Sequence, residues 1–332
     1  TRKESSAASD VYKRQVGTDG ADIGLSSISS IDQIIPFDTR DIIVAVIDSG
    51  IDLQHPDLKD NIALKLDECD NGEIPFEPEA IPGDLYPGDC KGWSFTGRKK
   101  GGSNRPEDFV GHGTHISGVI SAVKNNGLGL AGFSNKIKIL PVKILSNEPE
   151  SAHEIGTSER LVKGIQYAIS RKVDVINLSL GWPLSFDKGH LKDAVMDAID
   201  NGITVIAAAG NNDHSEPIMP CGYDGVICVG ASDPDKKISD FSNFGAHVDI
   251  LAPGNNILSA TPSSSEPLFF DFKNYDIKSG TSQAAPYVSA LVGILKGAYP
   301  GISEDEVKAR VLGSMSARAV SYTHLRAHET RH

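Results

Sequence analysis

Long apolar runs are missing from this chain of 332 residues. No stretch of eighteen or more apolar residues occurs, so no helical membrane span is expected. Cysteine is scarce too, with only Cys69, Cys90, Cys221 and Cys228. None of them forms a Cys-x-x-Cys pair, which removes the usual zinc pattern. An even number at local spacings allows two disulfides with three possible connectivities. Pairing Cys69 with Cys90 and Cys221 with Cys228 is the simplest and would place the chain in an oxidising compartment. Free buried cysteines are the alternative. Basic charge is also short: 32 Lys and Arg stand against 44 Asp and Glu. No signal peptide is visible, and a chain that starts without Met says little about export.

The two ends lack helical or strand periodicity. "TRKESSAASDVYKRQ" (1–15) and "SARAVSYTHLRAHETRH" (316–332) read as non-native or linker segments around a domain at 16–315. They hold seven of the basic and three of the acidic residues, so 25 basic and 41 acidic remain, a formal net of −16. A body that acidic is a poor nucleic-acid binder, because phosphate contacts need clustered Lys and Arg. It suits solubility and cation binding.

What is present is an alternation of strands and helices. "DIIVAVIDSG" (41–50) is a β-branched run that delivers Asp48 at its carboxyl end, the pattern of a buried parallel strand. "KIKILPVKIL" (136–145), "VDVINLSL" (173–180), "ITVIAAAG" (203–210) and "GVICVGAS" (225–232) read as further strands. Helices are expected at 115–123, at 158–170 from a Ser-x-x-Leu start, and at 191–200, ended by Asn201-Gly202. Another is expected at 285–298, and a last one at 303–312 with a Ser-x-x-Glu capping box. Residues 67–108 are rich in Gly, Pro and Asp and read as an irregular insertion. With no internal repeat and no interdomain linker between about 40 and 313, this predicts an α/β domain. Its mostly parallel central sheet is covered on both faces in three α/β/α layers. Ligands bind such sheets beyond the strands' carboxyl ends.

Four residues at such places carry possible chemistry. His112 lies between Gly111 and Gly113, just ahead of a helix start expected at Thr114, and has the exposure and rigidity a general base needs. Asp48 offers a carboxylate. Asn211, after "AAAG" (207–210), offers an amide donor or an ordinary turn residue. Ser282, in "KSGTSQAAPYV" (278–288), is either a helix N-cap or a nucleophile at a helix start. Together they fit one mechanism: Asp orients His, His deprotonates Ser, and Asn holds the oxyanion.

The motifs "VAVIDSGIDLQHPDL" (44–58), "GHGTHISG" (111–118), "NLSLG" (177–181), "AAAGNN" (207–212) and "SGTSQAAPYV" (279–288) resemble the subtilisin-like serine proteases over about residues 40–313. The resemblance implies a subtilisin-like three-layer fold and a serine endopeptidase that works through an acyl-enzyme intermediate. Asp48 would be the orienting acid, His112 the base and Ser282 the nucleophile. Asn211 would be the oxyanion donor with the Ser282 backbone N–H. It implies substrate-pocket walls at Ser179, Leu180, Gly181 and at Ala208, Ala209, Gly210, whose small residues would admit a sizeable P1 side chain. Trp182 replaces a glycine common after Ser-Leu-Gly and either narrows the outer subsites or packs at the surface. No acidic cluster at matching positions favours paired basic residues.

A structural Ca2+ site is also implied, from the Asp57 carboxylate, the Asn126 side chain, and the carbonyls of Val123, Leu128 and Leu130. Polypeptide substrates, a propeptide that inhibits and assists folding, a monomeric state and a secreted or secretory/vesicular location complete the implication. Gln283 stands where Met is common, and Tyr287 where His is. Three rivals are weaker. "GLGLAG" (127–132) fits Gly-x-Gly-x-x-Gly but follows a helix and precedes a strand, against the dinucleotide-binding order. "GTSQA" breaks the Gly-x-Ser-x-Gly of the α/β-hydrolases. A catalytically silent binding module of the same family would be expected to lack triad residues, and all four are here.

Overall fold

Alternate residues of the first strand go to opposite sides, and the whole architecture follows from that. In the computed structural model, which describes residues 40–75, 83–97, 101–146, 154–186, 189–263 and 274–313, β1 spans Ile42–Asp48. Val44 and Val46 belong to one core cluster and Ala45 and Ile47 to another. A strand buried on both faces needs an apolar residue at every position, and β1 supplies this up to Asp48. The terminal segments 1–15 and 316–332 lie outside the described residues.

Six further strands join β1. They are β2 (Trp93–Ser94), β3 (Ile137–Lys143), β4 (Val175–Leu178), β6 (Thr204–Ala208), β8 (Ile227–Ser232) and β9 (Ile250–Pro253), in the order β2-β3-β1-β4-β6-β8-β9. Every pairing in this sheet is parallel. β1 lies between β3 and β4, so the chain goes one way and then the other from it. That switch point opens a crevice beyond the strand ends. Two small antiparallel pairs flank the sheet: β5 (Trp182–Pro183) with β7 (Ile218–Met219), and β10 (Ile257–Ala260) with β11 (Tyr275–Lys278).

Helices α1 (His112–Ser121), α4 (Thr281–Ala298) and α5 (Glu304–Gly313) pack on one face, where Ile116, Ile120, Val288, Val292, Val307 and Val311 are buried with Val44 and Val46. Helices α2 (Glu154–Ser170) and α3 (His190–Asp200) cover the other, where Leu161, Ile165, Leu191 and Val195 meet Ala45 and Ile47. This is the three-layer α/β/α arrangement expected from the sequence. Among the described residues no helix is long and apolar enough to cross a membrane.

Several boundaries differ from expectation. α2 begins at Glu154, so Ser158 sits inside the helix and does not cap it. α1 begins at His112, not Thr114, because Asp108 accepts the amides of Gly111 and Thr114 at 2.9 and 3.0 Å and closes the first turn earlier. The Ser303 cap is present, with its hydroxyl accepting the Glu306 amide at 3.3 Å. Glu306 does not complete the box, since its carboxylate pairs with Arg310 at 2.7 Å.

Both local disulfides form, Cys69–Cys90 and Cys221–Cys228. Beside the first, Asp89 is 1% exposed. Its carboxylate accepts from the Tyr167 hydroxyl of α2 at 2.9 Å and from Arg171, just past the end of that helix, at 3.0 Å, and pairs with Lys65 at 3.2 Å. A buried carboxylate needs this many partners to offset its desolvation. Arg171→Met, which strips Asp89 of its most buried cation, is expected to cost about 3 kcal/mol. Urea unfolding reads this, and a loss under about 0.5 kcal/mol, the ordinary surface range, would reject the assignment.

Candidate functional site

Asp48 ends β1 with 0% exposure. Its carboxylate accepts the Ser49 amide at 2.6 Å, and the His112 Nδ1 lies 2.9 Å from each of its oxygens. The loop before α1 holds the imidazole in place. Gly111 has φ +86, which favours glycine, and lets the chain turn into the helix directly ahead of the ring. The Gly113 amide donates to Ser49 Oγ at 2.9 Å. A β-carbon at Gly113 would run into the Gly50 carbonyl, so only glycine lets the helix start come this close to β1. Neither Asp108 nor Ser49 was singled out from the sequence, although an Asp four residues ahead of His112 was visible there.

The His112 ring keeps 28% exposure. Burial by itself lowers its pKa, but the Asp48 charge and hydrogen bond outweigh this and raise it above the ordinary value. Lys278 opposes the rise and Asp108 adds to it. His115, one turn on, is fully buried. Burial and the nearby positive charges of Lys278 and His112 push it down to about 3. It stays neutral, with Nε2 against the carbonyls of Ile257 and Asp276.

Ser282 is the second residue of α4 and does not cap it; Gly280 holds the cap position and has no side chain to cap with. The Ser282 hydroxyl donates to the Ser179 carbonyl at 2.9 Å, not to the His112 ring. In return the Ser179 hydroxyl donates to the Ser282 carbonyl at 2.9 Å. That carbonyl is free because Pro286, four residues on, has no N–H to offer it. Asn177, buried on β4, donates to Ser179 Oγ at 3.0 Å and accepts from Ser289 of α4 at 2.8 Å. The carboxyl end of β4 is thereby tied to the start of α4.

Asn211 is tied to the same turn. Its Oδ1 accepts from the Thr281 amide at 2.8 Å and the Thr281 hydroxyl at 3.1 Å, which leaves Nδ2 as the outward donor. The N–H of Ser282, in the first turn of a helix, has no acceptor within that helix. Lys278 joins the two halves of the site: its Nζ reaches the Gly111 carbonyl, next to His112, at 3.2 Å.

The two segments expected as pocket walls stand at the ends of β4 and β6. Asn243 fixes the second, and nothing in the sequence marked it. It is fully buried. It donates from Nδ2 to the Ala209 carbonyl at 2.9 Å, donates its own amide to the Gly210 carbonyl at 2.9 Å, and accepts the Asn212 amide at 2.9 Å. Trp182 pairs with Met219 and packs on the second core cluster, the packed alternative of the two expected.

A family model described as the subtilase family matches residues 39–327. This chain belongs to the subtilase family. The Major intracellular serine protease of Bacillus subtilis (strain 168) is 35% identical to this subtilase over 283 residues, 82% of this chain and 75% of that protein. Thermitase of Thermoactinomyces vulgaris is 32% identical over 268 residues, 81% and 78% of the two chains. The fold resembles the crystal structure of a cold adapted subtilisin-like serine proteinase, with a TM-score of 0.64 and 24% identity over 87% of each chain. The subtilase is therefore a subtilisin-like serine endopeptidase.

Of the calcium ligands that the family resemblance implied, the two side chains, Asp57 and Asn126, are arranged as hydrogen-bond partners and not as cation ligands. Asp57 is fully buried. Asn126 turns its amide Nδ2 to Asp57 Oδ1 at 2.7 Å, while its own Oδ1 accepts the Leu128 amide at 2.9 Å. Leu130 offers Asp57 Oδ2 its N–H at 2.9 Å, and the Tyr275 hydroxyl donates to the same oxygen at 3.2 Å. The Val123 N–H goes to the Asp57 carbonyl at 2.8 Å. A hard cation needs six to eight oxygens turned toward it, and here three hydrogen-bond donors converge on the one carboxylate. The Tyr275 ring lies where a β-carbon on Gly129 would be, so ring and glycine are complementary. Burial, and then the Asp57 charge, hold the phenol far above its ordinary pKa, so it remains a donor.

Two expectations follow for this subtilase. With His112 acting as a base, the acid limb of kcat/KM should have its midpoint above 6.5, because the ring would have to lose a proton held by Asp48. Imidazolium pairing stabilises the fold fully below the unfolded value of about 6.5 and is lost as pH rises through the raised one. Lys278→Met should move the limb further up, and a limb that moves down would contradict the balance of charges described. Tyr275→Phe should cost about 1 kcal/mol in urea unfolding with EDTA present. Equal stability of variant and wild type in EDTA would remove the hydroxyl from the account of this loop.

Proposed function

We propose that this subtilase cleaves polypeptides through an acyl-enzyme intermediate with Ser282 as nucleophile, His112 as base, Asp48 as orienting acid and Asn211 as oxyanion donor. The observation that carries the reading is the buried Asp48 carboxylate set 2.9 Å from His112 Nδ1 across 64 residues of chain. That contact leaves Nε2 to receive a proton. Ser282 Oγ gives its proton to Nε2 as it bonds to the substrate carbonyl carbon. The carbonyl π pair moves to oxygen, where Asn211 Nδ2 and the Ser282 N–H donate to it. Collapse breaks the C–N bond, and His112 returns the proton to the leaving amine. Water then repeats the sequence on the ester and frees Ser282.

In the resting arrangement the Ser282 hydroxyl is bonded to the Ser179 carbonyl. Attack requires it to leave that oxygen for the imidazole. The Thr281 contacts leave Asn211 no alternative orientation, since flipping its amide would set donor against donor. This pre-orientation is what an oxyanion donor needs.

The location we favour is secreted or secretory/vesicular, supported by two disulfides that use all four cysteines. The relative named an intracellular protease leaves a cytoplasmic location as the alternative that cell fractionation would reveal. A monomer, matured from a form with an inhibitory propeptide, completes the proposal. Calcium at Asp57 is not part of it, for the reason given above.

A fluorophosphonate serine-hydrolase probe tests the reading. Wild type should label and Ser282→Ala should not. Asn211→Leu should lower kcat by about 10²–10³, a range established on subtilisin, the family's type member. A folded wild type that fails to label would leave a binding module in place of an enzyme.

A further inference from the structure

The two wall segments end in glycines that point at the same atom. A β-carbon built on Gly181 would lie 2.6 Å from Ile218 Cδ1, and one built on Gly210 would lie 3.0 Å from it. The δ-methyl of Ile218 therefore lies close to both walls, with Asn243 Nδ2 nearer still to the Gly210 position at 2.5 Å. Small residues at 179–181 and 208–210 had implied room for a large side chain. Ile218, from a third segment, stands thirty-odd positions from one wall and eight from the other.

We propose that Ile218 closes the far end of this pocket and restricts P1, the residue whose carbonyl Ser282 attacks, to glycine, alanine or serine. The proposal rests on the peptidase reading above.

The plug is fixed in place. Ile218 pairs with Pro183 in the β5–β7 ribbon, and β5 continues directly from the first wall. Its carbonyl accepts the Gly222 amide at 2.9 Å. Met219 and Cys221, on its C-terminal side, are 5% and 3% exposed, and Cys221 is bonded to Cys228 on β8. A β-branched side chain has a stiff χ1, and Ile218 itself packs on the second core cluster. The walls are no softer. Asn243 holds Ala209 and Gly210, and the Ser179–Ser282 pair holds the other side. A phenyl or isobutyl group entering here would overlap Ile218 in a site that has no slack to repack. A methyl or hydroxymethyl group stops short of it.

The test uses peptide p-nitroanilides that differ only in P1, as Ala, Leu or Phe. Each preparation is titrated for active sites with a fluorophosphonate. Wild type should prefer Ala to Phe by at least about tenfold, and Ile218→Gly should raise kcat/KM for Phe relative to that for Ala by about 10–200-fold, the range one pocket group commands. Ile218→Ala should move the same way by less, and decides the matter if the glycine variant does not fold. Wild type that titrates fully yet takes Phe as well as Ala overturns the plug and leaves the peptidase reading intact. A variant that raises all three substrates alike also overturns it. A folded wild type that neither titrates nor cleaves overturns both.

Discussion

Helix α4 starts where the ends of β4 and β6 converge, and the hydrogen bonds of its first half set the rest of the site. Thr281 holds Asn211 at the end of β6, Ser282 exchanges hydroxyl and carbonyl with Ser179 after β4, and Ser289 reaches Asn177 on β4 itself. Asn177, Ser179, Thr281 and Ser289 are buried, where an unmade hydrogen bond is costly. Their mutual satisfaction thus specifies one position of the helix relative to the sheet. Pro286 is part of the same device. A proline inside a helix usually weakens it, but here the carbonyl it leaves unpaired is that of Ser282, which Ser179 uses. The backbone of Ser282, the proposed nucleophile, is anchored by the Ser179 side chain just past β4 and by very little from its own helix.

Electrostatics on the other half work through opposing terms. His112 is drawn toward the charged form by Asp48 and away from it by burial, with Asp108 and Lys278 on either side of the balance. Under the mechanism proposed above, the proton that stabilises the folded chain is the one that catalysis must remove, so stability and activity would pull on the same group in opposite directions. His115 escapes this conflict because burial keeps it neutral, and it serves only to join α1 to the β10–β11 ribbon.

That ribbon, and the one formed by β5 and β7, show how local motifs mislead when a distant segment enters the same space. Asp57 and Asn126 keep the side chains expected of ligands, yet Tyr275 from β11 arrives with a hydroxyl and supplies a donor where a cation would need oxygens. Gly181 and Gly210 keep the small size expected of a roomy pocket, yet Ile218 from β7 lies close to both. In both places the motif is intact, and what changed is a neighbour more than seven residues away.

The fold was legible because its signals are local. The β-branched runs at 42–48 and 227–232 declare buried parallel strands, and the periodic helices between them leave little choice but a covered sheet. The four-residue strands β9, β10 and β11 carry too few residues for such a signal. The types and order of Asp48, His112, Asn211 and Ser282 were also readable, since each sits beside glycines or at a strand end within a short motif. By itself, then, the sequence determined the layers and the types and order of those four residues, and it left the cysteine pairing open with local bridges the simplest. Only the tertiary structure decided the start of α1 at His112, the Asn243 clamp, the donors around Asp57 and the isoleucine between the pocket walls. Each of those is a contact between segments that share no periodicity, and its existence depends on distances that close only when the sheet and its ribbons are assembled.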